Sequence, residues 1–235
     1  DAPVGDDVDL VYIIGMYDPP HYGHTLKNTA KAKHRIIHWC GSDVELLKNN
    51  EILPKAIHLC ESLTLQRELF EKGVDAEVCT FPTKHHFPVT PMPETPQVSM
   101  YLGSDPDKYG VGMLMALMDA LPKVRFATYL LGQNNAEEME IISSETTVYL
   151  RLTRHDGSAM SAREFMEAGR VSVITADLSY AKQVRHDDLT QIISKLVVAL
   201  RTTEPDLQAA EFYAWENSEA RYLADLYNKA GVTHE

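Results

Sequence analysis

The sequence predicts an α/β fold built from parallel sheets, and three observations lead to this prediction. Continuous apolar runs alternate along the chain with segments whose apolar residues recur at helical spacing. The first run, residues 9–15, is uninterrupted and ends in glycine, as expected for a strand that is buried on both faces of a parallel sheet. Five of the twelve prolines fall within residues 82–96 and separate two such alternating series. We therefore expect two Rossmann-like lobes.

The first series contains four predicted strands, over residues 9–15, 35–39, 56–60 and 76–81. Predicted helices over residues 25–33 and 62–72 connect them, and Gly73 stands where a C-terminal glycine belongs. Proline can neither continue a helix nor join the interior of a sheet. Residues 1–84 are accordingly assigned to a first lobe and residues 85–96 to a proline-rich linker.

The second series repeats the pattern. Strands are predicted over residues 98–102, 124–131, 147–152 and 171–175, and helices over residues 109–121, 158–168 and 187–201. These segments define a second lobe over residues 97–204. Residues 205–235 form a C-terminal segment that is predicted to be helical up to residue 230.

Composition excludes several classes of protein. A hydrophobic content of 44% is sufficient for a buried core, so the chain is not dominated by disorder. With 22 basic against 34 acidic residues, the net charge of −12 argues against general affinity for nucleic acid. No apolar run approaches the roughly 20 residues of a membrane-spanning helix. Cys40, Cys60 and Cys79 form no CxxC pair, and the acidic N-terminus is unlike a signal peptide. We expect buried thiols and a cytoplasmic protein, either soluble or bound peripherally at a membrane.

Residues 15–24 read GMYDPPHYGH and form the first candidate motif. His21 and His24 resemble the HxGH signature of nucleotidylyltransferases, in which two histidines stabilise the transferring phosphate at a helix N-terminus. That family also carries a late Ser/Thr-rich motif that ends in Arg before a helix, whereas residues 142–146 lead here into a predicted strand. The alternative interpretation is an ordinary proline- and glycine-rich loop.

Residues 151–170 form a more specific motif, which ends one strand, crosses a glycine turn and runs through a helix. Its two acids, Asp156 and Glu164, are eight positions apart, so both can border a ligand over the helix N-terminus. The first-turn amides of residues 158–161 are predicted to be unpaired donors, and together with the helix dipole they suit a diphosphate.

This motif resembles the acid-x7-acid motif of retaining GT-B glycosyltransferases, in particular the GT4-like group (glycosyl transferases group 1). The resemblance implies that Glu164 holds the ribose of the nucleotide and that Asp156 lies near the transferred sugar, although Asp is one methylene shorter than the usual Glu. The turn and helix start would then contact the diphosphate; these residues are Gly157, Ser158, Ala159 and Met160.

The resemblance extends to other segments. Residues 100–110 resemble the first strand and loop of the family's nucleotide domain, which implies that Gly103 lies in that loop and that Lys108 neutralises the leaving diphosphate. Residues 126–132 correspond to the strand whose following loop, at Gly132, contacts the base. Arg151 and Arg154 are each interpreted as a phosphate ligand or as the partner of a nearby acid. Only about 85 residues precede the linker, so the resemblance implies a reduced N-terminal lobe when set against ordinary domain sizes.

The implied function is transfer of a sugar from a UDP- or GDP-sugar donor to an unknown acceptor, which is a glycan, a lipid or a protein. Retention of configuration is a family inference, and no cofactor or metal is required, since the leaving group is stabilised electrostatically. His85 and His86 lack the spaced ligands of a metal site. Two alternatives are a nucleotidylyltransferase that uses His21 and His24, and a non-catalytic nucleotide-sugar binding module. The sequence leaves homo-oligomer formation open.

Overall fold

The computed structural model describes residues 9–16, 32–48, 55–83, 85–103, 105–130 and 135–230. Its contacts divide the chain into two compact units. The first unit comprises Asp1–Phe81, Asp156–Ser158 and Glu219–Glu235, and the second comprises Pro82–His155 and Ala159–Ser218. The segment predicted as a linker thus packs with the second unit, where Phe87 is buried in a core cluster.

The described residues form nine strands and eight helices. The strands are β1 (Leu10–Ile14), β2 (His34–Trp39), β3 (Ile57–Cys60), β4 (Glu77–Val78), β5 (Gln97–Leu102), β6 (Arg125–Leu130), β7 (Val148–Arg151), β8 (Val171–Ile174) and β9 (Lys182–Gln183). The helices are α1 (Ser42–Leu46), α2 (Leu63–Glu71), α3 (Val111–Ala120), α4 (Ala136–Glu145), α5 (Met160–Glu167), α6 (Leu189–Ala199), α7 (Leu207–Glu216) and α8 (Glu219–Ala230). No described helix has the length and apolar character needed to cross a bilayer.

The sheet of the first unit is parallel throughout, in the order β1-β2-β3-β4. Strand β2 is buried on both faces, because its neighbouring residues belong to different core clusters. Ile37 packs in the cluster that contains Leu65 and Leu69 of α2. Ile36 packs in the opposite cluster, against Tyr222 of α8. The apolar run of β2 is thereby explained. The prediction for residues 9–15 is wrong in part, because Leu10 and Ile14 of β1 are exposed.

The sheet of the second unit is also parallel, in the order β6-β5-β7-β8-β9. One face packs against α3 and α6. The other packs against α4, α5 and α7. This is a doubly wound arrangement, and the α/β class with Rossmann-like lobes is confirmed.

The ends of two helices, α2 and α4, follow from local chemistry. Ser62 begins α2 by accepting a hydrogen bond from the amide of Leu65 at 3.3 Å, and Gly73 follows the helix with a positive φ of 82°. Asn135 and Glu138 form a capping box at the start of α4. This helix was not predicted, and residues 142–146 are its C-terminal end.

Three further predictions differ from the structure. The fourth strand, predicted over residues 76–81, is only Glu77–Val78, because β3 ends at Cys60 and offers no further partner. The helical stretch predicted over residues 205–230 is divided into α7 and α8 at Asn217, whose side chain donates to Glu167 Oε2 at 2.6 Å. The helix predicted over residues 158–168 begins at Met160. Most of the helix predicted over residues 25–33 lies outside the described residues.

Candidate functional site

The strand order of the second unit determines where a ligand site is expected. From β5 the chain leads to β6 on one side, whereas β7 lies on the other side of β5. In open parallel sheets, ligands bind beyond the carboxyl ends of the strands at such a switch point. Gly103 follows β5 directly, and Arg151 is the last residue of β7. Two of the predicted site residues therefore lie at this edge of the sheet.

Arg151 is held by aromatic rings and a hydroxyl at the end of β7. The carbon atom of its guanidinium lies 5.6 Å from the ring centre of Tyr101 and 5.8 Å from that of Tyr109. Its Nη1 donates to Ser161 Oγ at 3.3 Å, and the same hydroxyl lies 2.6 Å from Tyr149 Oη. Arginine stacks readily on aromatic faces and stays charged at every accessible pH. The arrangement fixes a cation beside the first turn of α5.

Lys108 and Arg154 are brought together through their backbones. The amide of Arg154 donates to the carbonyl of Lys108 at 3.3 Å, and the amide of Lys108 donates to Asp105 Oδ1 at 3.2 Å. The side chain of Arg154 is exposed, and its Nε donates to His186 Nε2 at 3.3 Å. Of the two predicted arginines, Arg151 is the one whose side chain contacts the first turn of α5.

Gly103 lies so close to the ring of Tyr109 that a side chain at this position would displace the ring. A Cβ atom there would lie 2.0 Å from the ring of Tyr109. Glycine thus allows Tyr109 to fold back over the end of β5, where it contacts Arg151. The other predicted loop glycine, Gly132, lies outside the described residues.

The N-terminus of α5 has an unusual cap. Ala159 precedes the helix with φ of 45°, in the left-handed region that alanine rarely adopts, and no side chain caps the first turn. Ala159 is buried, whereas Met160 and Ser161 are partly exposed. A helix start without a side-chain cap keeps its dipole and its first amides available to an anion.

Glu164 lies one turn further along α5 and is buried. Its Oε1 accepts hydrogen bonds from the backbone amide of His85 at 3.2 Å and from His85 Nδ1 at 3.3 Å. Burial raises the pKa of the carboxyl group, while the charge and hydrogen bonds of His85 oppose that rise. From the sequence, His85 was interpreted only as a poor metal ligand, because its contact with Glu164 joins residues 79 positions apart.

The residues Asp156–Ser158 pack with the first unit. Ser158 is buried, and its Oγ donates to Glu61 Oε1 at 3.0 Å. A Cβ atom on Gly157 would lie 2.6 Å from the carbonyl oxygen of Cys40. The loop is thus fitted against the carboxyl ends of β2 and β3. Nothing in the sequence singles out Glu61 as its partner.

The structure does not test the remaining candidate motif, His21 and His24. His21 and His24 lie outside the described residues. Among the residues that the structure describes, no group of three or more His, Cys, Asp or Glu side chains could hold a metal ion.

Comparison with known proteins assigns the fold. The solved structures that the chain resembles include three GT-B glycosyltransferases. TarM matches with a TM-score of 0.69 at 11% identity, over 94% of this chain and 54% of TarM. The lipopolysaccharide outer core galactosyltransferase WaaB matches with a TM-score of 0.70 at 13% identity, over 94% of this chain and 74% of WaaB. The pneumococcal O-GlcNAc transferase GtfA, solved with UDP and GlcNAc, matches with a TM-score of 0.62 at 11% identity, over 95% of this chain and 57% of GtfA.

The chain therefore has a GT-B fold, as the resemblance of its motifs implies. It spans about half of the length of TarM and GtfA and about three quarters of WaaB. No protein-family model matches the sequence. No curated protein sequence matches it either.

Proposed function

We propose that this chain is a glycosyltransferase that moves a sugar from a UDP- or GDP-sugar to a glycan, lipid or protein acceptor. One observation carries the proposal. The guanidinium of Arg151 is fixed at the switch point of a doubly wound sheet, in contact with a helix start that has no side-chain cap. A cation and available amides at one place suit a diphosphate. The GT-B fold and the presence of UDP in the GtfA structure support the same donor class.

The chemistry follows from the charge that develops during the reaction. The bond between the anomeric carbon and the diphosphate oxygen breaks, the bonding electrons leave with the diphosphate, and a new bond forms to the acceptor oxygen, which loses its proton. Arg151, Lys108 and the first amides of α5 oppose the growing negative charge. We assign this stabilisation to fixed protein charges and amides without a metal ion.

The two acids of the motif receive different roles. Glu164 accepts hydrogen bonds from the ribose hydroxyls, and such bonds to an ionised carboxylate are stronger than neutral ones. We assign Asp156 to the transferred sugar by its place in the motif. Retention of configuration is part of the proposal and rests on the resemblance alone.

Release of UDP or GDP from a panel of donor sugars tests the proposal. We expect the wild-type protein to release one of the two nucleotides, slowly to water and faster once a suitable acceptor is added. Lys108→Ala is expected to slow release by about 100-fold, the usual loss for one group that stabilises developing charge.

Lys123→Ala is the matched control. Lys123 is an exposed lysine in the turn before β6, at the amino end of that strand, so its loss is expected to leave release unchanged. Binding of donor without release would favour the non-catalytic module. Release of pyrophosphate from ATP that is abolished by His24→Ala would favour the nucleotidylyltransferase.

A further inference from the structure

Two histidines from the proline-rich segment contact two glutamates of α5. His85 contacts Glu164, and His86 contacts Glu167, with the Nδ1 of His86 2.9 Å from Glu167 Oε1. From the sequence, neither histidine was expected to have a role. Each pair consists of a histidine and a glutamate, but the pairs differ in the number of carboxylate oxygens that accept a hydrogen bond from the protein.

In the first pair, both donors come from His85 and converge on one oxygen. The backbone amide and Nδ1 lie 3.2 and 3.3 Å from Glu164 Oε1. An ionised carboxylate only accepts hydrogen bonds, so Nδ1 is the donor. Within the described part of the chain, no hydrogen bond reaches Glu164 Oε2. One oxygen is therefore fixed and the other remains available as an acceptor.

In the second pair, both oxygens of Glu167 have hydrogen-bond partners. Glu167 Oε1 is taken by His86, and Oε2 accepts from Asn217 Nδ2 at 2.6 Å. Both oxygens of Glu167 are thus occupied by the protein. The side chain of His86 is also 50% exposed, against 15% for His85. This second pair has the features of a structural contact.

The ring of His85 is itself held in place. It stacks on Phe87 with 5.8 Å between ring centres and 12° between planes, and Phe87 is buried. A fixed ring orients the carboxylate that it contacts, in the way that outer partners orient ligands in binding sites. Burial alone would favour the neutral form of Glu164, and the donors of His85 oppose this.

We propose that His85 is a positioning residue for the donor, which turns Glu164 so that Oε2 accepts hydrogen bonds from the ribose hydroxyls. This inference rests on the proposed function, because it takes a nucleoside diphosphate as the ligand. It extends the site from the motif helix to the proline-rich segment.

The test compares the affinity for UDP with that for its dideoxyribose analogue, which lacks both ribose hydroxyls, by calorimetry on the full chain. GDP and its dideoxy analogue serve if the wild type binds only GDP. We expect the wild type to prefer the nucleotide with hydroxyls. His85→Leu keeps the volume against Phe87 but loses the side-chain donor, and it should reduce this preference by about tenfold. His85→Asn retains a donor near the position of Nδ1 and should restore the preference.

His86→Leu is the matched control and should leave the preference at its wild-type value. In a Glu164→Gln background, His85→Leu should have no further effect, since the group that it orients is gone. If His85→Leu weakens binding of both ligands equally, or leaves the preference intact, the inference is wrong. If the wild type binds a nucleotide but does not distinguish the two ligands, the ribose role of Glu164 fails first. If it binds neither UDP nor GDP, the proposed function fails.

Discussion

Arg151 illustrates how a single side chain gains a defined position from its neighbours. Surface arginines adopt many conformations, but this one contacts two tyrosine rings and a serine hydroxyl. Cation–π contacts of this kind contribute about 0.5–2 kcal/mol each. The side chain of Arg151 is therefore already ordered before an anion binds.

Glu164 gives a prediction about pH and stability. Its pKa is raised above the ordinary value of 4.5, so the folded state binds the proton more tightly than the unfolded chain does. Its contribution to stability is therefore largest below 4.5 and falls as the pH rises through the raised pKa. Because Glu164→Gln removes this titration, the melting temperature of the variant minus that of the wild type should increase from acidic to neutral pH.

Thermal unfolding across that pH range measures the difference. Glu94→Gln, at an exposed position outside α5, is the control and should show no comparable trend. A difference in melting temperature between Glu164→Gln and the wild type that is constant or decreases with pH would contradict the raised pKa of Glu164. The same variant should also lose affinity for the donor nucleotide.

At the scale of elements, the loop between β7 and α5 depends on a close backbone approach. Gly157 lies where a Cβ atom would be 2.6 Å from the carbonyl oxygen of Cys40 and 3.0 Å from Glu61 Oε2. A backbone oxygen cannot move aside as a flexible side chain can. The glycine of the motif is therefore explained by packing, independently of any ligand.

Gly157→Ala is expected to destabilise the protein by about 1–3 kcal/mol, the usual cost of overpacking. Denaturant unfolding monitored by circular dichroism measures the loss. Gly112→Ala is the control, because a Cβ atom on Gly112 in α3 would meet nothing within 4 Å. That substitution should be neutral or stabilising by about 0.5–1 kcal/mol. Equal stability of Gly157→Ala and the wild type would show that the loop is not packed as described.

The sequence predicted the elements whose signals are local. β1 and β2 appear as apolar runs, and α2 has both its serine cap and its C-terminal glycine. The missed helix α4 has little apolar periodicity, and its cap lies just after a glycine-ended strand, so it resembled a loop. The separation of α7 from α8 depends on Asn217 bonding to Glu167, a contact between residues 50 positions apart. Such a contact cannot be predicted from a short window of sequence.

At the scale of the whole molecule, the fold was predictable because alternation extends along most of the chain. The α/β class and the GT-B fold are both confirmed. The roles of the individual site residues remain predictions. His85 and Glu61 could not be assigned from the sequence, because each acts on the motif from a distant segment. Ligand sites assembled from several strand ends share this property.

The proposed function requires that the second unit binds a nucleoside diphosphate at Arg151, and thermal unfolding with added nucleotides measures this binding. UDP or GDP at about 100 times its dissociation constant should add about 2.7 kcal/mol of apparent stability, whereas ATP should add little. Arg151→Ala should abolish most of this protection, and Arg154→Ala, whose side chain is exposed toward His186, should retain it. Protection by ATP alone, protection by none of the nucleotides, or full protection of Arg151→Ala would show that no nucleoside diphosphate binds at Arg151.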